Sequence, residues 1–316
     1  MESIVSHNLL RLLKSLNLCT GDDDIQEFWP RVRDDDKIRV LKCKSSGVMY
    51  LSETAQGMIE RYRQRDGYGN LAGVGDLRQS DREQLIKLKY PHLKKRFDLI
   101  WPYIQGKTWL DVGAGSGGLI EIVRDHLRQH GHVNGPSAVG AVEPCETSYR
   151  ELLTAGICVK PAVGDIDGEY QVVTLMHVLE HVPEPIELLS QVYERLTPGG
   201  WLLVEVPHAR DILLETFDCN AFKDFTFWSE HLLLHTRESL ARFLAQAGFA
   251  DVSITGVQRH GVANHLYWLR NGKPGGQDVW RFLESDTLNR EYENLLARYD
   301  RTDTLFAYAR KPEGHA

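Results

Sequence analysis

The 316-residue chain is 42% hydrophobic and 26% charged, the proportions of an ordinary globular protein with room for one large domain or two modest ones. Its formal charge of −7 comes without the basic stripe of a nucleic-acid binder, so DNA and RNA are not expected partners. No apolar run reaches the ~20 residues that span a bilayer, and the five scattered cysteines (Cys19, Cys43, Cys145, Cys158, Cys219) point to a reducing cytoplasm.

Arg11 and Lys14 interrupt the apolar pattern of Met1–Leu18, which predicts an amphipathic helix and not a signal peptide. The chain to residue 36 is then acidic and weakly periodic, and the runs Asp22-Asp23-Asp24 and Asp34-Asp35-Asp36 read as solvated loop. Lys37–Ser52 predicts two short strands broken at Ser45-Ser46-Gly47. Asp81–Trp101 carries Leu85, Ile86, Leu88, Leu93, Phe97 and Ile100 at helical spacing.

From Lys107 strands alternate with helices. Trp109–Val112, Ala138–Val142, Gln171–Leu175 and Trp201–Val206 read as strands, and Gly118–His130, Ser148–Ala155 and Glu184–Leu196 as helices. The alternation predicts the α/β class, with a doubly wound, mostly parallel sheet and right-handed crossovers. Thr236–Ala247 is a further helix, opened by the box Thr236-Arg237-Glu238-Ser239 and closed by Gly248. Val252–Gln258 and Thr304–Ala309 are two last strands, and the about 45 residues between them must form a covering element. The expected organisation is a small N-terminal α+β region over 1–80, linking helices over 81–106, and a main domain over 107–316. Insertions at about 209–235 and 259–303 would cover its acceptor side.

The richest segment is Trp109-Leu110-Asp111-Val112-Gly113-Ala114-Gly115-Ser116-Gly117-Gly118, a buried strand running into a glycine-dense turn and a helix. Such a turn holds a nucleotide-like cofactor at the carboxyl edge of a sheet, because glycines admit positive φ and a close backbone approach. Gly118 comes one position early for the third glycine of the dinucleotide pattern, which disfavours nicotinamide enzymes. The second strand ends at Glu143-Pro144, where an acid can accept hydrogen bonds from ribose hydroxyls. Asp165, after a third short strand, could accept from an adenine amino group. Past the strand Gln171–Leu175 come His177, Glu180 and His181, and Leu196-Thr197-Pro198-Gly199-Gly200 precedes the strand Trp201–Val206.

In combination, the segment Leu110–Gly117, Glu143, His177–Pro185 and Leu196–Pro207 resembles the successive motifs of class I S-adenosylmethionine-dependent methyltransferases. The resemblance covers about residues 107–256 and implies a Rossmann-like sheet with an antiparallel edge hairpin. It places Gly113, Ala114, Gly115 and Gly117 against the methionine part of S-adenosyl-L-methionine. It further places Asp111 under the loop or at the amino group, Glu143 and Pro144 at the ribose, Asp165 and Ile166 around the adenine, and His177 on the sulfonium side. A weaker resemblance joins Val40–Leu51 to the second knuckle of the zinc ribbon that precedes some bacterial sugar methyltransferases. Ser46 stands there in place of a cysteine, so a ribbon without zinc is expected, with Cys43 as a small buried hydrophobe and no metal site assigned.

An oxygen acceptor must lose its proton, which makes the histidines candidates for a general base. His181 comes first, its tautomer set by Glu180 or Glu184. His231 and His235 come second, His208 third, with His177 lining the site. Arg259-His260 and Asn264-His265 are candidates for the acceptor side, and Tyr62 and Tyr68 could close the cleft from the N-terminal side or serve as aromatic packing. The flanking segments are similar in style to bacterial polysaccharide and nucleotide-sugar methyltransferases, which implies an oxygen or nitrogen of a sugar or glycan precursor as acceptor. A small aromatic or lipid-like hydroxyl is the alternative. A catalytically inactive, cofactor-binding regulatory subunit is a third reading, and a homodimer is compatible with each.

Overall fold

A computed structural model describes residues 4–54, 57–64, 82–130 and 135–314. The N-terminal part holds helix α1 (Ile4–Ser15), strands β1 (Ile25–Trp29), β2 (Val40–Cys43) and β3 (Met49–Leu51), and helix α2 (Met58–Arg63). Helix α3 (Arg82–Ile104) leads into β4 (Thr108–Val112), α4 (Gly118–His130), β5 (Ala138–Val142), α5 (Glu146–Thr154), β6 (Cys158–Lys160), β7 (Tyr170–Met176), α6 (Pro185–Arg195) and β8 (Leu196–Pro207). Beyond β8 come α7 (Ile212–Glu215), α8 (Asn220–Thr226), β9 (Leu233–Leu234), α9 (Arg237–Gln246) and β10 (Ala250–Val257). The chain then runs through α10 (Val262–Asn271), α11 (Gly276–Val279), α12 (Asp286–Arg298) and β11 (Thr304–Arg310).

Seven strands form the main sheet in the order β10-β11-β8-β7-β4-β5-β6. From β8 to β6 every pairing is parallel, and β11 runs antiparallel to both β8 and β10, which supplies the expected edge hairpin. Strand order reverses beside β4, with β5 and β6 on one side and β7 and β8 on the other. That reversal opens a crevice at the carboxyl ends of β4 and β7, where open α/β sheets bind ligands.

Leu202, Leu203, Val204 and Val206 of β8 are all fully buried, because helices cover both faces of the sheet. Alternate residues sort between the layers. Leu110, Val112, Val173 and Leu175 pack with Leu189, Val192, Leu240 and Phe243 of α6 and α9. Trp109, Val172, Leu203 and Phe306 pack on the other face with Phe97, Ile100, Ile120 and Val123 of α3 and α4. The N-terminal strands form a second sheet, β1-β2-β3-β9, whose last strand comes from the segment after β8.

The N-terminal acidic stretch departs from the loop expectation. Ile25–Trp29 pairs with Val40–Cys43 as a strand, and Phe28 and Trp29 pack against Phe227 and its neighbours. The aspartate runs are partly pinned. Asp24 accepts from the Thr20 and Ser45 backbone N–H groups and the Ser45 hydroxyl, which pull its carboxyl down to about 2, the side-chain bond most strongly. Asp34 accepts from the backbone N–H and the hydroxyl of Ser229. Cys43 and Cys19 lie buried in the core beside Val48 and Tyr50. No helix of the described residues is long and apolar enough to cross a membrane.

Candidate active site

The turn after β4 is built on three left-handed glycines, Gly113, Gly115 and Gly117, with φ of 74°, 54° and 73°. Its entry is tied down where the N–H groups of Gly113 and Ala114 both donate to the Val142 carbonyl, at 2.8 and 3.0 Å. A Cβ on Gly113 would stand 2.4 Å from Val178 Cγ2, so the turn and the segment after β7 touch through a position only glycine fits. A Cβ on Gly115 would meet nothing within 4 Å, so this part of the turn faces open space. The residues suit a cofactor whose polar end lies against exposed backbone at a switch point.

Glu143 is buried, and both of its carboxylate oxygens accept backbone N–H groups: Oε2 from Gly115 at 2.7 Å and Oε1 from Cys145 at 2.8 Å. The acid therefore braces the glycine turn from the neighbouring strand, with Pro144 between its two contacts. Asp111 is buried beneath the turn, where it accepts from the Thr174 hydroxyl at 2.7 Å, and that hydroxyl accepts from Trp109 Nε1 at 2.9 Å. Burial pushes the Asp111 carboxyl up to about 6. Ile166 is buried next to the exposed Asp165, which closes a single 3-10 turn, Val163–Asp165.

The histidines converge past β7. His177 has φ of 57°, rare for a residue with a Cβ, and its N–H donates to the Glu205 carbonyl. Its Nε2 lies 3.3 Å from Arg259 Nη1 and its Nδ1 2.7 Å from Glu180 Oε1. Guanidinium only donates, so Nε2 accepts and the proton sits on Nδ1, facing the Glu180 carboxylate. Burial, then Arg259 and Arg96, push His177 well below the ordinary imidazole range. Burial likewise raises the fully buried Glu180 to about 8. His181 Nδ1 lies 2.8 Å from the Glu230 backbone carbonyl, so Nδ1 carries the proton and Nε2 turns toward Glu180 Oε1, 3.9 Å away. The backbone of Glu230 thus sets the tautomer expected from Glu180 or Glu184. The ring of His231 closes the group, 4.9 Å from the ring of His181 and edge-on to Trp228.

The remaining candidates separate. His235 is buried against Phe243 with Nδ1 3.0 Å from the Ser239 hydroxyl, inside the capping box that opens α9. Burial pushes it down to about 3, and its position is one of packing. His208 lies beside the Thr302 carbonyl, and His265 beside the Tyr292 hydroxyl and Gln258. His260 stacks edge-on against His92, and Asn264 accepts from the Gly275 N–H. Tyr62 lies on α2, and Tyr68 lies outside the described residues.

Three contributors were not singled out from the sequence. Glu205 pairs with Arg96 and stands 3.8 Å from His177 Nε2, and Asp303 holds Arg259 through its backbone N–H and its Nε. Glu205 had a signal, as the one charge in the apolar strand Trp201–Val206. Arg96 had none, because in sequence it is one of several cations on helix α3, with Lys94 and Lys95 directly before it.

A glycine turn at the switch point, braced by a buried acid and facing a histidine–carboxylate cluster, defines a nucleotide-cofactor enzyme of the α/β class. The chain belongs to the methyltransferase-domain family, whose model matches residues 82–254, and its methyl donor is S-adenosyl-L-methionine. A ubiquinone biosynthesis O-methyltransferase of Burkholderia pseudomallei is 27% identical over 175 residues, 52% of this chain and 73% of the relative. One from Acinetobacter baumannii is 32% identical over 103 residues, 31% of this chain and 42% of its own. A SAM-dependent methyltransferase from Archaeoglobus fulgidus superposes with a TM-score of 0.45 at 17% identity, covering 73% of this chain and 94% of that one.

Proposed function

We propose that the protein transfers a methyl group from S-adenosyl-L-methionine to a hydroxyl oxygen of a small molecule. The observation that carries this is the cluster of His177, Glu180 and His181 after β7 with His231 before β9, joined to the glycine turn through Val178. A hydroxyl must lose its proton as its oxygen attacks the methyl group, and the cluster supplies proton acceptors.

The turn Gly113–Gly117 would hold the methionine end of the cofactor, Asp111 its ammonium, Glu143 and Pro144 its ribose, and Asp165 and Ile166 its adenine. The cofactor supplies an electrophilic methyl group on a sulfonium. In this chain, His181 presents Nε2 as the proton acceptor, and its ring is held by the Glu230 carbonyl. His177 orients Glu180, and Arg259 orients His177. Alignment and exclusion of water do the rest of the work in such an in-line displacement.

Among hydroxyl acceptors, the relatives' names favour a small aromatic over the sugar or glycan precursor suggested by the flanking segments. Release of S-adenosylhomocysteine over a panel of catechols, other phenols and nucleotide sugars separates the two. Calorimetry with S-adenosylhomocysteine reports the cofactor site independently. Cofactor binding without turnover on any acceptor would turn the reading toward a regulatory subunit.

A further inference from the structure

We infer that Glu180, His181 and His231 form a site for one divalent transition-metal ion at the acceptor side of the cofactor turn. One ligand atom from each lies within 4.8 Å of the other two. A second observation points the same way: Glu180 is fully buried, yet its Oε2 has no hydrogen-bond partner among the described residues. A buried carboxyl oxygen without a partner is costly, and a cation that displaces the carboxyl proton removes the cost.

The surroundings hold the ligands in place. His181 Nδ1–H donates to the Glu230 carbonyl, the contact that fixes a metal-binding imidazole with Nε2 as ligand. His177 donates to Glu180 Oε1 and is itself engaged by Arg259, so it orients the carboxylate. His181 Nε2 stands 3.9 Å from Glu180 Oε1, the oxygen held by His177, so the imidazole and the free Oε2 belong to the same carboxyl neighbourhood. Two imidazoles and one carboxylate suit the Mn2+-to-Zn2+ series better than Mg2+ or Ca2+. Three protein ligands leave positions open, as in catalytic sites.

This replaces the His181 base of the proposed function with the ion and rests on that function's methyl transfer for its chemistry, whereas ion binding stands without it. An acceptor hydroxyl in an open position becomes more acidic and gives its proton to solvent water. The oxygen then supplies the electron pair for the new C–O bond, and the sulfur keeps the pair of the broken S–C bond. Deprotonation thus passes from the His181 ring to the ion, which His181 binds. An acceptor with two adjacent hydroxyls would occupy two positions at once.

The test uses the whole chain, stripped with EDTA and titrated with Co2+ by calorimetry and visible absorption. The titration is also run in a His126→Ala/His130→Ala background, to remove a stacked histidine pair on α4 that could bind Co2+ on its own. One equivalent of Co2+ with ligand-field bands is expected in both backgrounds. His231→Ala, and separately Glu180→Gln, should weaken it at least about tenfold. His231→Gln serves if either variant fails to fold, with the thermal midpoint as the check. Absence of saturable binding, or binding unchanged by His231→Ala, overturns the site. Turnover that keeps its rate in EDTA overturns the ion's catalytic part. Loss of S-adenosylhomocysteine binding strikes the proposed function instead, and the Co2+ titration then stands on its own result.

Discussion

Arg259 reaches back across 82 residues to place its guanidinium 3.3 Å from His177 Nε2. This one contact joins the loop after β10 to the turn after β7, and it decides which nitrogen of His177 carries the proton. Asp303, just before β11, holds the arginine from behind. Arg259→Met removes the donor that fixes the tautomer. The expected result is a fall in kcat of about 10- to 100-fold, the usual scale for a lost orienting contact, with S-adenosylhomocysteine affinity within a few-fold of the parent. Arg259→Lys should recover little, because an ammonium cannot serve Asp303 and His177 with the same planar fork. Equal losses in kcat and cofactor affinity would assign Arg259 to the cofactor.

The backbone of His177 gives a second test. Its φ of 57° costs a residue with a Cβ about 1–3 kcal/mol, which the surrounding structure supports. Asn tolerates this conformation well and a β-branched residue tolerates it badly. His177→Asn should therefore keep the thermal midpoint near that of the parent while turnover falls. His177→Val should lose stability as well as activity. Equal midpoints for the two variants in thermal melts would show that the strain is absent in solution.

Much of this architecture was legible in the chain, for a physical reason. Parallel strands buried on both faces read as nearly continuous apolar runs, so Val173–Leu175 and Leu202–Val206 stand out despite Thr174 and Glu205, and glycines mark turns that only they can make. The cofactor side is local, with each element a short motif at a strand end. The acceptor side is not local. Arg96 on α3, Glu205 on β8, Arg259 after β10 and Asp303 before β11 meet only because the strand order sets β8, β11 and β10 side by side with α3 packed on their face. Ile25–Trp29 was hidden because its burial does not alternate cleanly, and its partner strand lies beyond an acidic loop. Leu233–Leu234 is too short to carry a period.

Gly113 and Gly115 should fail in different ways. At Gly113 an alanine Cβ would sit 2.4 Å from Val178 at φ 74°, so Gly113→Ala should lower stability by roughly 2 kcal/mol or more. Adding Val178→Ala should return part of that loss, because it relieves the contact and leaves the dihedral strain. At Gly115 the new methyl group enters open space and meets only the strain of φ 54°, so Gly115→Ala should lower the melting temperature by a few degrees and weaken S-adenosylhomocysteine binding by at least tenfold. Calorimetry and melting on the three variants check this. A Gly115→Ala variant with full affinity would place the cofactor elsewhere.

Asp111 gives the pH dependence its sign. Burial raises its folded carboxyl from the ordinary 3.8 to about 6, with the Thr174 hydrogen bond opposing the rise. Folding therefore favours the protonated form. The stabilisation is fully present below pH 3.8 and is lost as pH climbs to about 6. Asp111→Asn can still accept from Thr174 and carries no charge, so its stability relative to the parent should rise across that window by up to about 3 kcal/mol. Above the window, a buried anion beside the glycine turn is a cost that a cation bound there would offset. The same variant should therefore bind S-adenosyl-L-methionine, which carries an ammonium, more weakly at pH 7.5 while melting at a higher temperature. Melting curves between pH 4 and pH 8, with calorimetry at the upper end, separate the two effects. A variant that melts higher and binds with unchanged affinity would leave Asp111 as a support of the loop alone.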